Sequence, residues 1–416
     1  MNSLSNHTQL FSDSIHSIFT LIRQHDHITR QAVSDRLNIP STTLNRQFDK
    51  LIGAGLIAES GLAPSTGGRP ASLYTVSQDK IFLLGLDVTS SEIRLVLTNL
   101  ASEIITRTRV PAVPNTSADK FAEIVMSEAQ TLLSDKKLSF SRVAGLGICH
   151  PDPEDHQDTS RSLYDEALRA TLEAKLGMPA SLLDSGHASL YAGLWLDPNL
   201  SDHTLFYFSA GHDLQSGLVF DGQFNTRHLK AVSAASLLTA GKTKSAYLAL
   251  DSVATPAAMV EKFRKSKKNN KEDWNSFCKA AAQGKKKAGA VLEEAAEALA
   301  VVIYNALALS SASYLLLDGS SFSELPAYRE KVIATIKALG SGFHLFEQSH
   351  DHTAAENPAF ADQKRDPAKQ PDVSETNSTR SVKLLENRYG DDLMAVGAAA
   401  YMLTQYVVIS SGATSV

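Results

Sequence analysis

Cysteine is nearly absent from this chain. Cys149 and Cys278 are the 2 cysteines among 416 residues, and neither belongs to a C-x-x-C pair or a Cys/His run. That excludes a disulfide framework and a four-ligand zinc site built from this chain's own thiolates. Long apolar runs are missing too. None reaches the about 18 residues a membrane helix needs, and no charged-then-apolar leader opens the sequence. No membrane partner is therefore expected, and the cytoplasm is the expected compartment. Positive charge is in short supply: 40 Lys and Arg against 45 Asp and Glu leave a formal net charge of −5. No global field draws the chain onto nucleic acid, so DNA binding must rest on local placement, doubled by a dimer. The remaining composition is ordinary for a globular protein, with 43% hydrophobic and 20% charged residues. A chain of 416 residues exceeds what one domain usually holds, and two or three domains are expected.

The first eighty residues carry the clearest pattern. Residues 9–24 set Leu10, Phe11, Ile15, Ile18, Phe19 and Ile22 at helical spacing. Thr29 can cap a short helix holding Ala32, Val33 and Leu37, and Asn38-Ile39-Pro40 makes a turn. Ser41 or Thr42 then starts a helix whose Leu44, Phe48, Leu51 and Ile52 are expected inside, and Gly53 and Gly55 end it. Leu56–Ala58 reads as a short apolar strand. Helix, helix, tight turn, helix, strand, loop, strand is the order of a winged helix-turn-helix. Its second motif helix presents Ser41, Thr42, Thr43, Asn45, Arg46 and Lys50 away from the apolar side. Short polar groups and an arginine at a helix N-terminus suit reading of base edges in a major groove. A small three-helix domain that binds protein is the alternative.

Charge in this segment is balanced. Arg23, Arg30, Arg36, Arg46, Lys50, Arg69 and Lys80 face Asp13, Asp26, Asp35, Asp49, Glu59 and Asp79. One copy would hold phosphates weakly, so a homodimer, or a dimer of dimers, on paired half-sites of double-stranded DNA is the natural expectation. The stretch "STGGRPASLY" comes next, in the place of the wing. Gly67 and Gly68 thin the backbone, Pro70 holds the exit extended, and Arg69 between them suits entry into a minor groove.

Beyond residue 80 the pattern changes to alternating strands and helices. Residues 81–110 read as two apolar strands around Thr89-Ser90-Ser91, and residues 119–134 as an amphipathic helix. "RVAGLGIC" and "ASLLDSG" read as buried strands, "HASLYAGLWL" as a helix. "HTLFYFSA" and "SGLVFDGQF" read as a strand pair, and "AGAVLEEAAEALAVVIYNALALS" as a long helix before the strand "SYLLLDG". Such alternation implies an α/β fold with covered sheets. The stretch 347–381 is polar, proline-bearing and poor in large apolar groups, and reads as an insertion. The basic runs 262–271 and 285–287 read as solvated helix ends.

A winged helix, "GGRPASLYTV", and then "FLLGLDVTSSEIRLVLTNLASEI" together resemble the regulators of the ROK family, which groups sugar-responsive repressors with sugar kinases. The resemblance covers roughly residues 12–345 and 384–410. It implies an N-terminal winged helix-turn-helix, mainly α, followed by a two-lobed, actin-like (ribonuclease H-like) α/β body with a ligand cleft between the lobes. The implied division is 1–78 for the DNA-binding domain, 79–200 for the first lobe, completed by 384–416, 201–346 for the second lobe, and 347–383 for a low-complexity insertion.

The same resemblance allows a check for kinase chemistry. Family kinases carry D-x-G-G-T at the first phosphate turn. Here Asp87 remains, and Thr89, Ser90 and Ser91 follow, whose Cβ atoms obstruct a close phosphate approach. The second phosphate turn, G-T-G-I-G in the family, reads Gly211-His212-Asp213-Leu214-Gln215. The general base belongs to a motif resembling E-N-D-A-N-A-A-A, matched by Asp184-Ser185-Gly186-His187-Ala188-Ser189, so Gly186 stands where the proton acceptor would be. Neither the G-E-I-G-H segment nor the zinc cysteines of the family have a counterpart after residue 222. The expectation is a non-enzymatic transcriptional regulator, a repressor, with no zinc and no ATP as cofactor. Asp87, Ser185, His187 and Asp213 are the candidate residues for a small-molecule effector, a sugar or a derivative, acting through lobe closure. An ATP-dependent sugar kinase with an added DNA-binding domain is the competing reading.

Overall fold

The computed structural model describes residues 14–25, 27–64, 70–89, 92–113, 116–150, 166–196, 200, 203–211, 214–220, 230–233, 238–240, 247–264, 273–340, 343–347 and 380–410. The chain divides into two compact units. One comprises Met1–Asp202, Gly217–Val232 and Asn387–Val416, the other His203–Ser216 and Ser233–Glu386. The winged helix thus belongs to the same unit as the first α/β lobe.

Unit one begins with α1 (residues 14–24), whose Ile15, Ile18, Phe19 and Ile22 are buried at helical spacing. A two-residue strand β1 (Ile28–Thr29) leads into α2 (Arg30–Leu37), capped by Thr29, whose Oγ1 accepts from Ala32 N at 3.1 Å. Asn38, left-handed at φ 51, ends that helix and turns the chain toward Pro40. Then comes α3 (Ser41–Gly53), which buries Leu44, Gln47, Phe48 and Leu51. Ile52 differs from the sequence expectation: it is 38% exposed, because its position falls outside the stripe set by Leu44, Phe48 and Leu51. The wing is a hairpin of β2 (Ile57–Leu62) and β3 (Ser72–Val76), longer than the three-residue strand expected, with β3 in the middle of the order β1-β3-β2. Polar Glu59-Ser60-Gly61 masked the continuation, which carries a bulge between Glu59 and Gly61.

The α/β lobe of unit one comprises β4 (Phe82–Val88), β5 (Glu92–Asn99), β6 (Ile104–Pro111), α4 (Ala118–Asp135), β7 (Val143–His150), α5 (Glu166–Leu176), β8 (Ala180–Asp184) and α6 (Ser185–Leu196). The strands lie in the order β6-β5-β4-β7-β8, antiparallel on the first side and parallel from β4 through β7 to β8. This is the ribonuclease H-like pattern. Three strands fill the region where two were expected. The break between β5 and β6 contains neither Gly nor Pro; instead the Asn99 side chain accepts from Ala101 N at 3.0 Å and Glu103 N at 2.9 Å, and Ser102 takes φ 59. Every residue of β4 is buried, as a central strand covered on both faces requires.

Unit two holds the next elements: β9 (Leu205–Ala210), β10 (Leu214–Val219), β11 (Lys230–Ser233), β12 (Leu238–Ala240), β13 (Tyr247–Ala249), α7 (Asp251–Ala254), α8 (Pro256–Phe263), α9 (Trp274–Ala282), α10 (Lys286–Ser310), β14 (Tyr314–Asp318), α11 (Ser320–Glu324), α12 (Pro326–Leu339), β15 (Phe343–Glu347) and β16 (Arg380–Leu385), apart from the second half of β10 and most of β11, which fall in unit one. Its large sheet has the order β11-β10-β9-β14-β16-β15, with β9, β14, β16 and β15 running parallel. The strand β16 corrects the expected boundary, since residues 380–383 of the stretch assigned to an insertion pair with Phe343–Phe346. Residues 348–379 lie outside the described ones.

The last helix, α13 (Leu393–Ser410), returns to unit one. Its "MAVGAAA" segment is rich in small residues because backbone meets backbone there. A Cβ on Gly85 or Gly147 would stand 1.9 Å from the carbonyl oxygens of Ala395 and Ala398, and one on Gly397 1.8 Å from that of Ala188. At its entrance buried Asp392 accepts from Arg109 Nη2 at 3.0 Å and pairs with Arg107, tying β6 to the helix.

Candidate nucleic-acid interface

Thr42, Asn45, Arg46 and Asp49 recur at helical spacing along α3, and all four are exposed. Ser41 is exposed at one flank of this face; Thr43 and Lys50 are half-buried. The opposite side of the helix packs inward, where Phe48 meets Tyr74 of β3 edge to face, ring centroids 5.0 Å apart. Gln47 is fully buried between these sides, and neither amide atom has a partner among the described residues. Ala63 N donates to Ala71 O at 2.8 Å, extending the wing hairpin one pair past Leu62 and Ser72. Its tip, with Arg69, lies outside the described residues.

One residue that sequence reasoning did not single out organises this face. Arg30 sits at the first position of α2, where the helix dipole disfavours a cation. It is held there by tertiary contacts: Nε donates to Tyr74 Oη at 3.1 Å, Nη1 to Asn45 Oδ1 at 3.0 Å, and Nη2 lies 3.5 Å from Asp49 Oδ1. The guanidinium also stands 4.9 Å from the Phe48 ring centroid and 5.1 Å from that of Tyr74. Both motif helices and the wing strand meet on this planar group. It also offsets the Asp49 carboxylate, which alone would repel a phosphate. An arginine directly after a capping threonine was the available sequence signal.

The candidate effector residues gather along the C-terminal edge of β4, β7 and β8, the end at which open α/β sheets receive ligands. Asp87 pairs in register with Cys149, Cys149 with Leu183, and His150 with Asp184. Asp87 is 5% exposed, and burial pushes its carboxyl up to about 6 while the nearby Arg94 guanidinium, 3.3 Å away, pulls the other way. Burial also raises the Cys149 thiol, with Asp87 and Asp184 acting in the same direction. Asp184 caps α6: Oδ1 accepts from His187 N at 2.9 Å, and Oδ2 pairs with His187 Nδ1. Ser185 opens the same helix turn, and its carbonyl accepts from Ser189 Oγ at 2.9 Å. Asp213 lies outside the described residues. Arg94 and Cys149 were not foreseen, because only strand register brings them to Asp87; the cap by Asp184 is a local contact three residues long that was not read from the sequence.

The turn that follows Asp87 is described only in part. Thr89 Oγ1 donates to Glu92 O and accepts from Glu92 N, both at 3.0 Å, so the turn after Asp87 is closed on itself. Ser90 and Ser91 lie outside the described residues. Cys149 is buried in β7 and Cys278 half-buried in α9, and no group of three or more His, Cys, Asp or Glu among the described residues could hold a metal ion. No helix among the described residues is long and apolar enough to cross a membrane.

The N-terminal helix is seated on the lobe within the same unit. His16, Phe19, Thr20 and Arg23 of α1 line a small pocket with Trp195 of α6 and Leu403, Thr404 and Val407 of α13. The Arg23 guanidinium lies 3.8 Å from the Trp195 ring centroid, and burial holds its pKa down to about 10, with Tyr389 raising it and Arg388 lowering it. Arg388 Nη2 donates to Trp195 O at 3.2 Å and to Tyr389 Oη at 3.0 Å. Burial, with Arg23 adding to it, holds His16 down to about 4, so the ring is neutral at pH 7.

A winged helix-turn-helix domain carried by a ribonuclease H-like α/β body is the architecture of the ROK regulators, and this chain has that fold. Residues 12–58 match the family described as winged helix-turn-helix DNA-binding. Among curated proteins, the chain is 24% identical over 208 residues to a putative xylose repressor of Caldicellulosiruptor sp. (strain Rt8B.4), covering 49% of this chain and 52% of that protein. It is 21% identical over 226 residues to the xylose repressor of Caldicellulosiruptor bescii, covering 53% and 57%. The chain thus spans about half the length of these curated relatives. Among solved structures, a ROK family transcriptional regulator described as a homolog of the E. coli MLC protein superposes with TM-score 0.65 at 16% identity, covering 97% of this chain and 99% of that one. The ROK hexokinase of Thermus thermophilus gives 0.54 at 15% identity over 78% and 98%.

Proposed function

We propose that this chain is a sequence-specific DNA-binding transcriptional regulator, a repressor, acting as a dimer on two half-sites. The observation that carries this reading is the exposed Thr42–Asn45–Arg46 face of α3 beside a closed wing hairpin. Ser41 and Thr43 flank that face, and Arg69 at the wing tip enters the minor groove. The near-neutral charge of the first eighty residues requires a second copy for useful affinity. Its compartment is the cytoplasm.

In this reading the α/β body dimerises and senses a small molecule, and performs no phosphoryl transfer. Gly186 takes no proton, the turn after Asp87 is closed by Thr89, and Asp184 and His187 engage each other. No ATP- or zinc-dependent step is assigned. The relatives named xylose repressors make free sugars the first effector class to test, with Asp87, Ser185, His187 and Asp213 as contacts. Helix α6 runs from Ser185 and His187 at one end to Trp195 at the other, where Arg23 of α1 stacks. A ligand that shifts the first turn of α6 therefore has a rigid route to the DNA-binding domain.

The test is selection and sequencing of DNA fragments by the purified chain, followed by retardation assays at defined salt with and without a sugar panel. Enrichment of a paired half-site supports the reading. A coupled assay with ATP and the same sugars tests the kinase alternative, and turnover abolished by Asp184→Asn or His187→Ala would overturn the non-catalytic account.

A further inference from the structure

We propose that Arg30 determines what Asn45 reads: by holding the amide oxygen, it makes Asn45 a donor-only reader, selective for guanine or thymine rather than adenine. The proposal rests on the DNA-binding reading above and deepens it to a base preference.

A guanidinium offers only donors, so the Asn45 atom 3.0 Å from Arg30 Nη1 must be the carbonyl oxygen. The orientation of the amide is fixed by chemistry. Arg30 is itself immobilised, because each of its three guanidinium nitrogens meets a different residue, Tyr74, Asn45 and Asp49, while two rings flank it. The oxygen edge of Asn45 is therefore turned toward α2, and its NH2 edge is the one left for a base.

An asparagine specifies adenine only by using both edges together, accepting from N6–H and donating to N7. The oxygen keeps a second lone pair, but an adenine N6–H sharing it would stand against the guanidinium's own N–H groups and positive charge, so that bidentate contact is weakened. Acceptors that stand without an adjacent donor are N7 and O6 of guanine and O4 of thymine. Asn45 then contributes a preference of about tenfold for such a base at one position of each half-site. Arg30 acts through Asn45 as a positioning residue.

The experiment is selection from a randomised duplex pool by the full-length chain, its Asn45→Ala, Asn45→Asp and Arg30→Ala variants, with every bound pool sequenced. Asn45→Ala identifies the position, as the one whose preference collapses. The wild-type chain is expected to favour guanine or thymine there by about tenfold, and Arg30→Ala to shift that single position toward adenine while the others keep their preferences. Asn45→Asp keeps an acceptor for Arg30 but removes the donor, so the guanine or thymine preference should vanish even if Arg30→Ala fails to fold. The proposal is overturned if the wild-type position is adenine, if Arg30→Ala weakens all positions equally, or if Asn45→Asp retains the preference. Those outcomes still contain an enriched motif, whereas a wild-type pool without any motif would remove the DNA-binding reading itself.

Discussion

Polar side chains gather at two places in unit one, and they are held in opposite ways. On α3, Thr42, Asn45, Arg46 and Asp49 stand exposed, and Arg30 steadies two of them from behind. Along the C-terminal edge of β4, β7 and β8, Asp87 and Cys149 are buried, and the half-buried Asp184 and His187 are bonded to each other. A surface that reads a ligand keeps its polar groups outward on a rigid support; at the sheet edge the side chains satisfy one another. In the proposed reading the first place is the one that meets DNA.

The largest expected effect tests the frame that supports both places. Gly397→Ala would drive a Cβ to 1.8 Å from the Ala188 carbonyl oxygen, forcing α13 away from α6. A loss of about 3 kcal/mol in unfolding free energy is expected, read by thermal denaturation. An unchanged midpoint would mean that the seam is loose.

Acidity separates the seat of α1 from the sheet edge. Asp87 has a folded pKa raised from 3.8 to about 6, so it contributes stability below about pH 3.8 that is lost as pH rises through 6. His16 has its folded pKa lowered from 6.5 to about 4, so its contribution is present above about pH 6.5 and lost as pH falls through 4. Between these limits the two oppose each other. Asp87→Asn should leave a chain that acid destabilises more steeply, and His16→Phe one that acid stabilises, each by roughly 2 kcal/mol across the window. Melting temperatures between pH 4 and 6.5 check this, and parallel profiles for both variants would contradict it.

Arg46→Ala sharpens the contrast on the open face. It should weaken binding to the selected DNA by about 2 kcal/mol, roughly thirtyfold. The smallest expected effect is a gain. Gln47→Met replaces a buried amide, without partners among the described residues, by an apolar chain of similar size, and about 1 kcal/mol of added stability is expected from denaturant titration.

The sequence made the helices of the winged domain readable because their signals are local. Thr29, Asn38, Pro40 and the Leu44–Phe48–Leu51 stripe lie within a few residues of the structure they specify. Ile52 failed at the end of that stripe, where one further position leaves the buried arc. The strand break at Asn99 was missed because a side chain, not Gly or Pro, makes the turn. The Arg30 cluster joins positions 30, 45, 49 and 74, and the Asp87–Cys149–Asp184 edge depends on the register of parallel strands. Neither leaves a periodic trace. The exposed face of α3 was legible; what holds it was not.

The most direct measurement is the affinity of the wild-type chain and its Arg46→Ala variant for DNA recovered by selection, at one fixed salt concentration. The account predicts a paired half-site motif in the selected pool, bound roughly thirtyfold more weakly by the variant, with scrambled DNA bound equally poorly by both. Equal affinity of the two proteins for the selected DNA, or a pool with no motif, would contradict it.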